Sequence, residues 1–165
     1  MPHIFQKILL TLSLLAATLA QAQLSIEITG AGANRIPVAI TNFAGDAAAA
    51  QVVASTVRSD LERSGLFKLV DPAGATLDEN APVNFGDWKN RGADALAAGS
   101  LARGADGRME ARFRLYDTQK QVSLGGAVYV TGNDQLRAAG HRIADYIYEK
   151  LTGEKGVFST RVAYV

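Results

Sequence analysis

Two carboxyl side chains in this sequence have the type and spacing that an acid-base enzyme would use. Glu110 and Asp117 both fall in GRMEARFRLYD, residues 107–117. A pair of carboxyl groups about 5–10 Å apart can hydrolyse a glycosidic bond. Glu110, however, alternates along this stretch with arginines, and this pattern favours the solvated, ion-paired face of a strand over a catalytic pair.

His141 is the one histidine that follows residue 22. It lies between Gly140 and Arg142, beside an apolar stripe with helical spacing. This position favours a half-buried histidine that is hydrogen-bonded to a neighbouring element over a metal ligand or a member of a catalytic triad. The sequence also lacks a G-x-S-x-G elbow, an H-E-x-x-H helix and a G-x-x-x-x-G-K phosphate loop. We therefore predict no catalytic residues, no cofactor and no metal.

Three arginines, at positions 108, 112 and 114, could instead contact nucleic acid. Net charge opposes this function. The chain has 17 Lys and Arg against 16 Asp and Glu, and loss of Lys7 with an N-terminal leader leaves 16 against 16. A balanced charge predicts neither nucleic acid nor an anionic membrane surface as a partner.

The first 22 residues, MPHIFQKILLTLSLLAATLAQA, have the pattern of a signal peptide. One cation, Lys7, precedes an apolar run from Ile8 to Leu19, and the small-x-small sequence Ala20-Gln21-Ala22 follows. The run is shorter than the roughly 20 residues that span a bilayer, so an uncleaved anchor is the less favoured alternative. The pattern predicts export with cleavage after Ala22, and export of a chain without cysteine indicates the bacterial periplasm.

The remaining 165 − 22 = 143 residues suit one domain, and its periodicities predict a mixed α/β (α+β) fold. We expect a small mixed sheet with two main helices. A helix over 47–64 carries the apolar stripe Ala49, Val53, Val57 and Leu61, with Asp46 as its N-cap. A second helix over 134–151 is predicted to begin at an Asn133 cap and to bury Ile147. Strands are predicted over 24–29, 35–43, 66–70, 94–102, 107–117, 122–130 and 157–165, with a helical turn over 85–92.

The segment LRAAGHRIADYIYEKLTGEKGVFSTRVAYV, residues 136–165, resembles the TolB family of periplasmic Tol-Pal proteins. A second match is the D-L-x-x-S-G-x-F stretch that begins at Asp60, and the resemblance extends over essentially all of residues 23–165. It implies a fold like the anticodon-binding domain of class II aminoacyl-tRNA synthetases. In the family the last strand leads into a six-bladed β-propeller. We therefore expect a signal peptide (1–22), a mobile partner-binding segment (23–34), the α/β domain (35–155) and the start of a truncated propeller (156–165).

The resemblance also implies a function. Proteins of the TolB family are non-enzymatic adaptors that link TolA to the lipoprotein Pal. They support outer-membrane integrity and constriction during cell division, and they take part in colicin or protein import. The Pal-binding surface lies mainly on the propeller, so Pal is expected as a partner only if a propeller is present. A periplasmic cell-wall hydrolase that uses Glu110, Asp117 or His141 is the alternative function.

The family resemblance places TolA binding in the segment 23–34, and the C-terminal domain of TolA is the expected partner. LSIEIT, residues 24–29, alternates apolar and polar side chains and is joined to the domain by a glycine-rich tether. Such a strand can add to the sheet of another protein. The alternative is an ordinary edge strand of this domain's own sheet. The predicted TolA-binding residues are Gln23, Leu24, Ser25, Ile26, Glu27, Ile28, Thr29, Gly30, Ala31, Gly32, Ala33 and Asn34.

Overall fold

A computed structural model of the chain describes residues 35–160. The predicted signal peptide, the predicted TolA-binding segment 23–34 and residues 161–165 lie outside the described residues. The described elements form a mixed α/β fold, as predicted. The strands are β1 Ile36–Ile40, β2 Asn42–Gly45, β3 Phe67–Val70, β4 Thr76–Leu77, β5 Ala95–Arg103, β6 Met109–Asp117 and β7 Val122–Thr131, and the helices are α1 Ala47–Arg63, α2 Phe85–Asn90 and α3 Leu136–Thr152.

All seven strands belong to one sheet that is organised around β5. On one side, β5 pairs in parallel with β1 and further along with β2. The short strands β3 and β4 pair in parallel with β1 and β2 and end the sheet on that side. On the other side β5, β6 and β7 form an antiparallel meander, so β7 is the last strand at that end.

The prediction of one continuous strand over 35–43 is wrong, because the structure divides this stretch at Thr41 into β1 and β2. Ile40 pairs with Ala97, and Ala44 pairs with Ser100. Between these two pairs the chain advances by four residues on the β1–β2 side but by only three residues on β5. The extra residue forms a bulge, a feature that depends on the register of the partner strand. The Thr41 hydroxyl donates to the Ala97 carbonyl at 3.2 Å and satisfies a buried polar group at this point.

Helices α1 and α3 cover one face of the sheet and form the main core. The predicted stripe on α1 is buried, and Leu61 and Ile147 are both fully buried. Asp46 caps α1 through a 3.1 Å bond from the Ala49 amide, as predicted. The opposite face is covered in part by the segment 70–93, whose Trp88 packs with Ala39, Leu96 and Tyr116.

Two predictions about the C-terminal third are wrong within the described residues. Asn133 does not cap the second helix, because residues Asn133–Gln135 form a 3-10 turn and α3 begins at Leu136. The strand predicted over 157–165 is absent from residues 157–160, which form a turn. The reason is tertiary: the carboxylate of Asp145 accepts the amides of Phe158 at 2.7 Å and Ser159 at 3.0 Å.

Candidate functional site

The structure separates the two carboxylates that were considered as a catalytic pair. Glu110 pairs with Val130 at one end of β6, and Asp117 pairs with Val122 at the other end. Seven residues of a strand span about 24 Å, and residues an odd number apart lie on opposite faces of a sheet. A glycosidase pair needs a separation of about 5–10 Å, so Glu110 and Asp117 cannot act on one bond.

Each of these carboxylates has a local structural partner. Glu110 accepts a hydrogen bond from the Arg112 guanidinium, which confirms the predicted ion-paired face of this strand. Asp117 accepts the Lys120 amide at 2.8 Å and so closes the turn between β6 and β7. Both groups therefore stabilise the meander.

His141 bridges the two main helices. Its Nδ1 atom lies 2.6 Å from the Oδ2 atom of Asp60, whose side chain is 3% exposed. The other oxygen of Asp60 accepts from Arg63 at 2.6 Å. A buried carboxylate needs such partners, because an unpaired charge in the interior is costly. The predicted half-buried histidine bonded to a neighbouring element is confirmed, and the partner that the sequence did not identify is Asp60.

The helices cross closely at the residue that precedes His141. A Cβ atom built on Gly140 would lie 2.7 Å from the Thr56 Cβ atom and 3.2 Å from the Val53 carbonyl oxygen. Only glycine permits this separation of the helix backbones. The Asp60–His141 contact therefore lies beside a glycine crossing, and this arrangement is typical of a helix interface rather than a reaction centre.

Two shallow clefts adjoin α3 and the turn at residues 157–160. One, of about 570 Å³, lies beside Arg137, His141 and Ser159. The other, of about 380 Å³, lies beside Tyr129 and Arg142. Arg142 stacks on the Tyr129 ring, with its Cζ atom 5.0 Å from the ring centroid. Burial raises the pKa of the Tyr129 phenol above its usual value, and the Arg142 charge opposes this shift.

A third cleft, of about 470 Å³, runs between β2 and the first half of α1. Arg58 lies at this cleft and donates from Nε and Nη2 to the Ile40 carbonyl at 3.1 and 2.8 Å. Burial lowers the pKa of this guanidinium, and the charge of Asp71 opposes the shift. These bonds attach α1 to the end of β1, so the primary role of Arg58 is structural.

Within residues 35–160, no group of three or more His, Cys, Asp or Glu side chains is arranged to hold a metal ion. No helix in the same range is long and apolar enough to cross a membrane. The predicted TolA-binding residues 23–34 have no described geometry, so their role stays a prediction.

Comparison with known proteins identifies the family. Residues 24–124 match the TolB amino-terminal domain. The chain is 76% identical over its whole length to the Tol-Pal system protein TolB of Dechloromonas aromatica, and 55% identical over 158 residues to that of Aromatoleum aromaticum. These matches cover 100% and 92% of this chain but 39% and 37% of the relatives, so the chain spans about two fifths of their length.

A solved structure agrees with this match. The crystal structure of TolB from Acinetobacter baumannii superposes with a TM-score of 0.67 at 32% identity, covering 81% of this chain and 32% of that one. Sequence and fold thus lead to the same assignment: the chain belongs to the TolB amino-terminal domain family.

Proposed function

We propose that this chain is a non-enzymatic adaptor of the periplasmic Tol-Pal system that binds the C-terminal domain of TolA through residues 23–34. The observation that carries the proposal is the match over the full length of the chain to a relative named Tol-Pal system protein TolB. The wider roles that go with it are outer-membrane integrity, constriction during cell division and colicin or protein import. Export with cleavage after Ala22 belongs to the same proposal.

The described domain favours an adaptor over a cell-wall hydrolase. Glu110 and Asp117 lie on opposite faces of β6, about 24 Å apart by strand geometry. His141 is bonded to Asp60 at the interface of two helices. The three groups on which a hydrolase would depend are thus separated, and each has a structural partner.

Strand addition is the proposed mode of TolA binding. Leu24, Ile26 and Ile28 would occupy one face of the added strand, while its main chain pairs with an edge of the TolA sheet. Ordering a segment on a glycine tether typically consumes about 2–5 kcal/mol of the gross interaction energy, so we expect modest affinity. In this family the Pal-binding surface is assigned to the propeller, and we propose that residues 35–160 do not bind Pal tightly.

The test is a calorimetric titration of the TolA C-terminal domain against four forms of the chain beginning at Gln23. These are the unaltered form, a form lacking residues 23–34, Ile26→Pro and Ala105→Pro. Proline removes a backbone donor and disfavours a paired strand. Ala105 follows Gly104 in the turn that is closed by the Gly107 amide and the Gly104 carbonyl, so proline there is a matched control within a turn.

We expect deletion and Ile26→Pro each to abolish binding, while Ala105→Pro binds as the unaltered form does. Circular dichroism and thermal melting should be nearly the same for all four forms. If the form lacking residues 23–34 binds TolA as tightly as the unaltered form, the TolA site lies elsewhere. Tight binding of Pal to the chain would show that the assignment of the Pal-binding surface to the propeller is wrong.

A further inference from the structure

After α3 the chain turns back and lies against the same helix. α3 ends at Thr152, and the amide of Gly153 bonds to the Glu149 carbonyl at 2.9 Å. By residues 158 and 159 the chain has returned to Asp145, which lies about two helical turns before the end of α3. Residues 153–160 therefore form a strap on α3.

Hydrogen bonds and aromatic packing fasten the strap. The two carboxylate oxygens of Asp145 accept the amides of Phe158 at 2.7 Å and Ser159 at 3.0 Å. Hydrogen bonds to a charged acceptor are roughly twice as strong as neutral ones. The Phe158 ring packs edge-on against Tyr148 at 5.7 Å between centroids, and Tyr148 packs in the same way against Phe67 of β3 at 5.9 Å. The strap is thus attached to the core through α3.

The backbone of the strap also approaches the helix closely. A Cβ atom built on Gly156 would lie 2.5 Å from the Cα atom of Asp145, so a larger residue would push the strap away from α3. Further along, the amide and the hydroxyl of Thr160 both donate to the Val157 carbonyl, at 3.2 and 2.6 Å. The turn is therefore closed before the chain reaches residue 161.

The composition of the strap alone would suggest a flexible connection. GEKGVFST, residues 153–160, is rich in glycine and polar side chains, as are the boundaries of domains, where few contacts cross and the joined parts move independently. The contacts with Asp145 and Tyr148 oppose such freedom. The geometry of the strap therefore differs from what its composition suggests.

We propose that the strap is a rigid joint that fixes the point and the direction in which the chain leaves this domain, with Asp145 as its positioning residue. The exit then lies beside the middle of α3 rather than at the C-terminal end of the helix. A segment attached after Thr160 would keep one orientation relative to α3, whereas a flexible connection would let it turn freely.

The experiment measures distances between pairs of spin labels in the full chain by pulsed electron paramagnetic resonance. The chain has no cysteine, so labels attach only at introduced positions. Ser55→Cys with Ser159→Cys relates α1 to the strap. Ser55→Cys with Arg137→Cys relates α1 to α3 and shows whether the helices remain packed. The three labelled positions are exposed.

We expect one narrow distance distribution for each pair in the unaltered background. Asp145→Ala removes both acceptors and should broaden the Ser55–Ser159 distribution at least about twofold, because a free stretch of about seven residues spreads over roughly 15 Å. Asp145→Asn retains one acceptor oxygen and should broaden this distribution less. The Ser55–Arg137 distribution should stay narrow in both variants.

Two further variants separate a joint from a general support of the helices. Gly156→Ala should broaden the Ser55–Ser159 distribution although the carboxylate is intact, because the added Cβ atom displaces the strap. Glu149→Ala is the matched control, since Glu149 is exposed and lies one turn further along α3, and it should change neither distribution.

Three results would overturn the proposal. The Ser55–Ser159 distribution could already be broad in the unaltered background, which would make the strap a flexible connection. It could stay narrow in Asp145→Ala, in which case the carboxylate does not position the exit. If Asp145→Ala broadens both distributions equally, Asp145 supports the packing of the helices as a whole and is not a positioning residue of a joint.

Discussion

The Nδ1 atom of His141 lies 2.6 Å from the Oδ2 atom of Asp60, although 81 positions separate the two residues in the chain. The contact joins α1 to α3. Asp60 is almost completely buried, whereas the His141 side chain is 30% exposed. The histidine thus covers the side of the buried carboxylate that would otherwise face solvent. Through this contact it holds α3 against α1.

Replacement of His141 by alanine should destabilise the domain. The substitution removes one of the two side-chain partners of a buried carboxylate, and such a loss costs about 1–3 kcal/mol. The free energy of unfolding can be measured by urea titration followed through the fluorescence of Trp88, the one tryptophan of the chain. His141→Asn, whose amide can donate from near the Nδ1 position, should retain part of the stability.

A double-mutant cycle with Asp60→Asn tests whether the effect belongs to this pair. Residues in direct contact show coupling energies of about 0.5–3 kcal/mol, whereas independent sites add. We expect His141→Ala to cost clearly less in the Asp60→Asn background than in the unaltered chain. Additive effects would show that the contact contributes little to stability.

Gly140→Ala should also destabilise the domain, although alanine is the better helix former by about 1 kcal/mol. The added Cβ atom would lie 2.7 Å from the Thr56 Cβ atom, so the helices must separate. Overpacking of this kind costs about 1–3 kcal/mol, and the expected sign is a net loss in the free energy of unfolding.

Gly86→Ala in α2 is the matched control. A Cβ atom there meets only the Asn84 side-chain oxygen, at 3.3 Å. This substitution should be neutral or slightly stabilising in the same urea titration. If Gly140→Ala proves as well tolerated as Gly86→Ala, the close approach of α1 and α3 does not limit the packing.

The helices were the part of this fold that the sequence predicted best. The four-residue spacing of Val53, Val57 and Leu61 is local, and so is the reach of the Asp46 carboxylate to the Ala49 amide. The bulge at Thr41 was missed because it depends on the register against β5. The partner of His141 was missed for a similar reason, since 81 positions separate it from Asp60.

Cleavage of the N-terminal signal peptide should be visible in the intact mass of the exported protein. Ala20-Gln21-Ala22 fits the small-x-small pattern that signal peptidase cleaves, so periplasmic material should begin at Gln23. Intact-mass spectrometry can measure this directly, and cyclisation of Gln23 would appear as the loss of one ammonia. Ala22→Trp should block cleavage, because a large side chain does not fit the cleavage site. Periplasmic material that retains residues 1–22 would contradict the predicted cleavage.

The turn at residues 157–160 should be more protected from hydrogen exchange than a free chain end. The Asp145 carboxylate accepts the amides of Phe158 and Ser159, and the Phe158 ring packs edge-on against Tyr148 at 5.7 Å between centroids. Asp145→Ala removes both acceptors and should raise the exchange rates of these two amides at least about tenfold, which corresponds to a loss of about 1.4 kcal/mol in local opening free energy. Amide exchange followed by NMR measures this directly.

The control for this experiment is Glu149→Ala. Glu149 is exposed and lies one helical turn further along α3, so its replacement should leave both exchange rates unchanged. Equal exchange in the Asp145→Ala variant and the unaltered chain would show that the carboxylate does not hold the turn in solution.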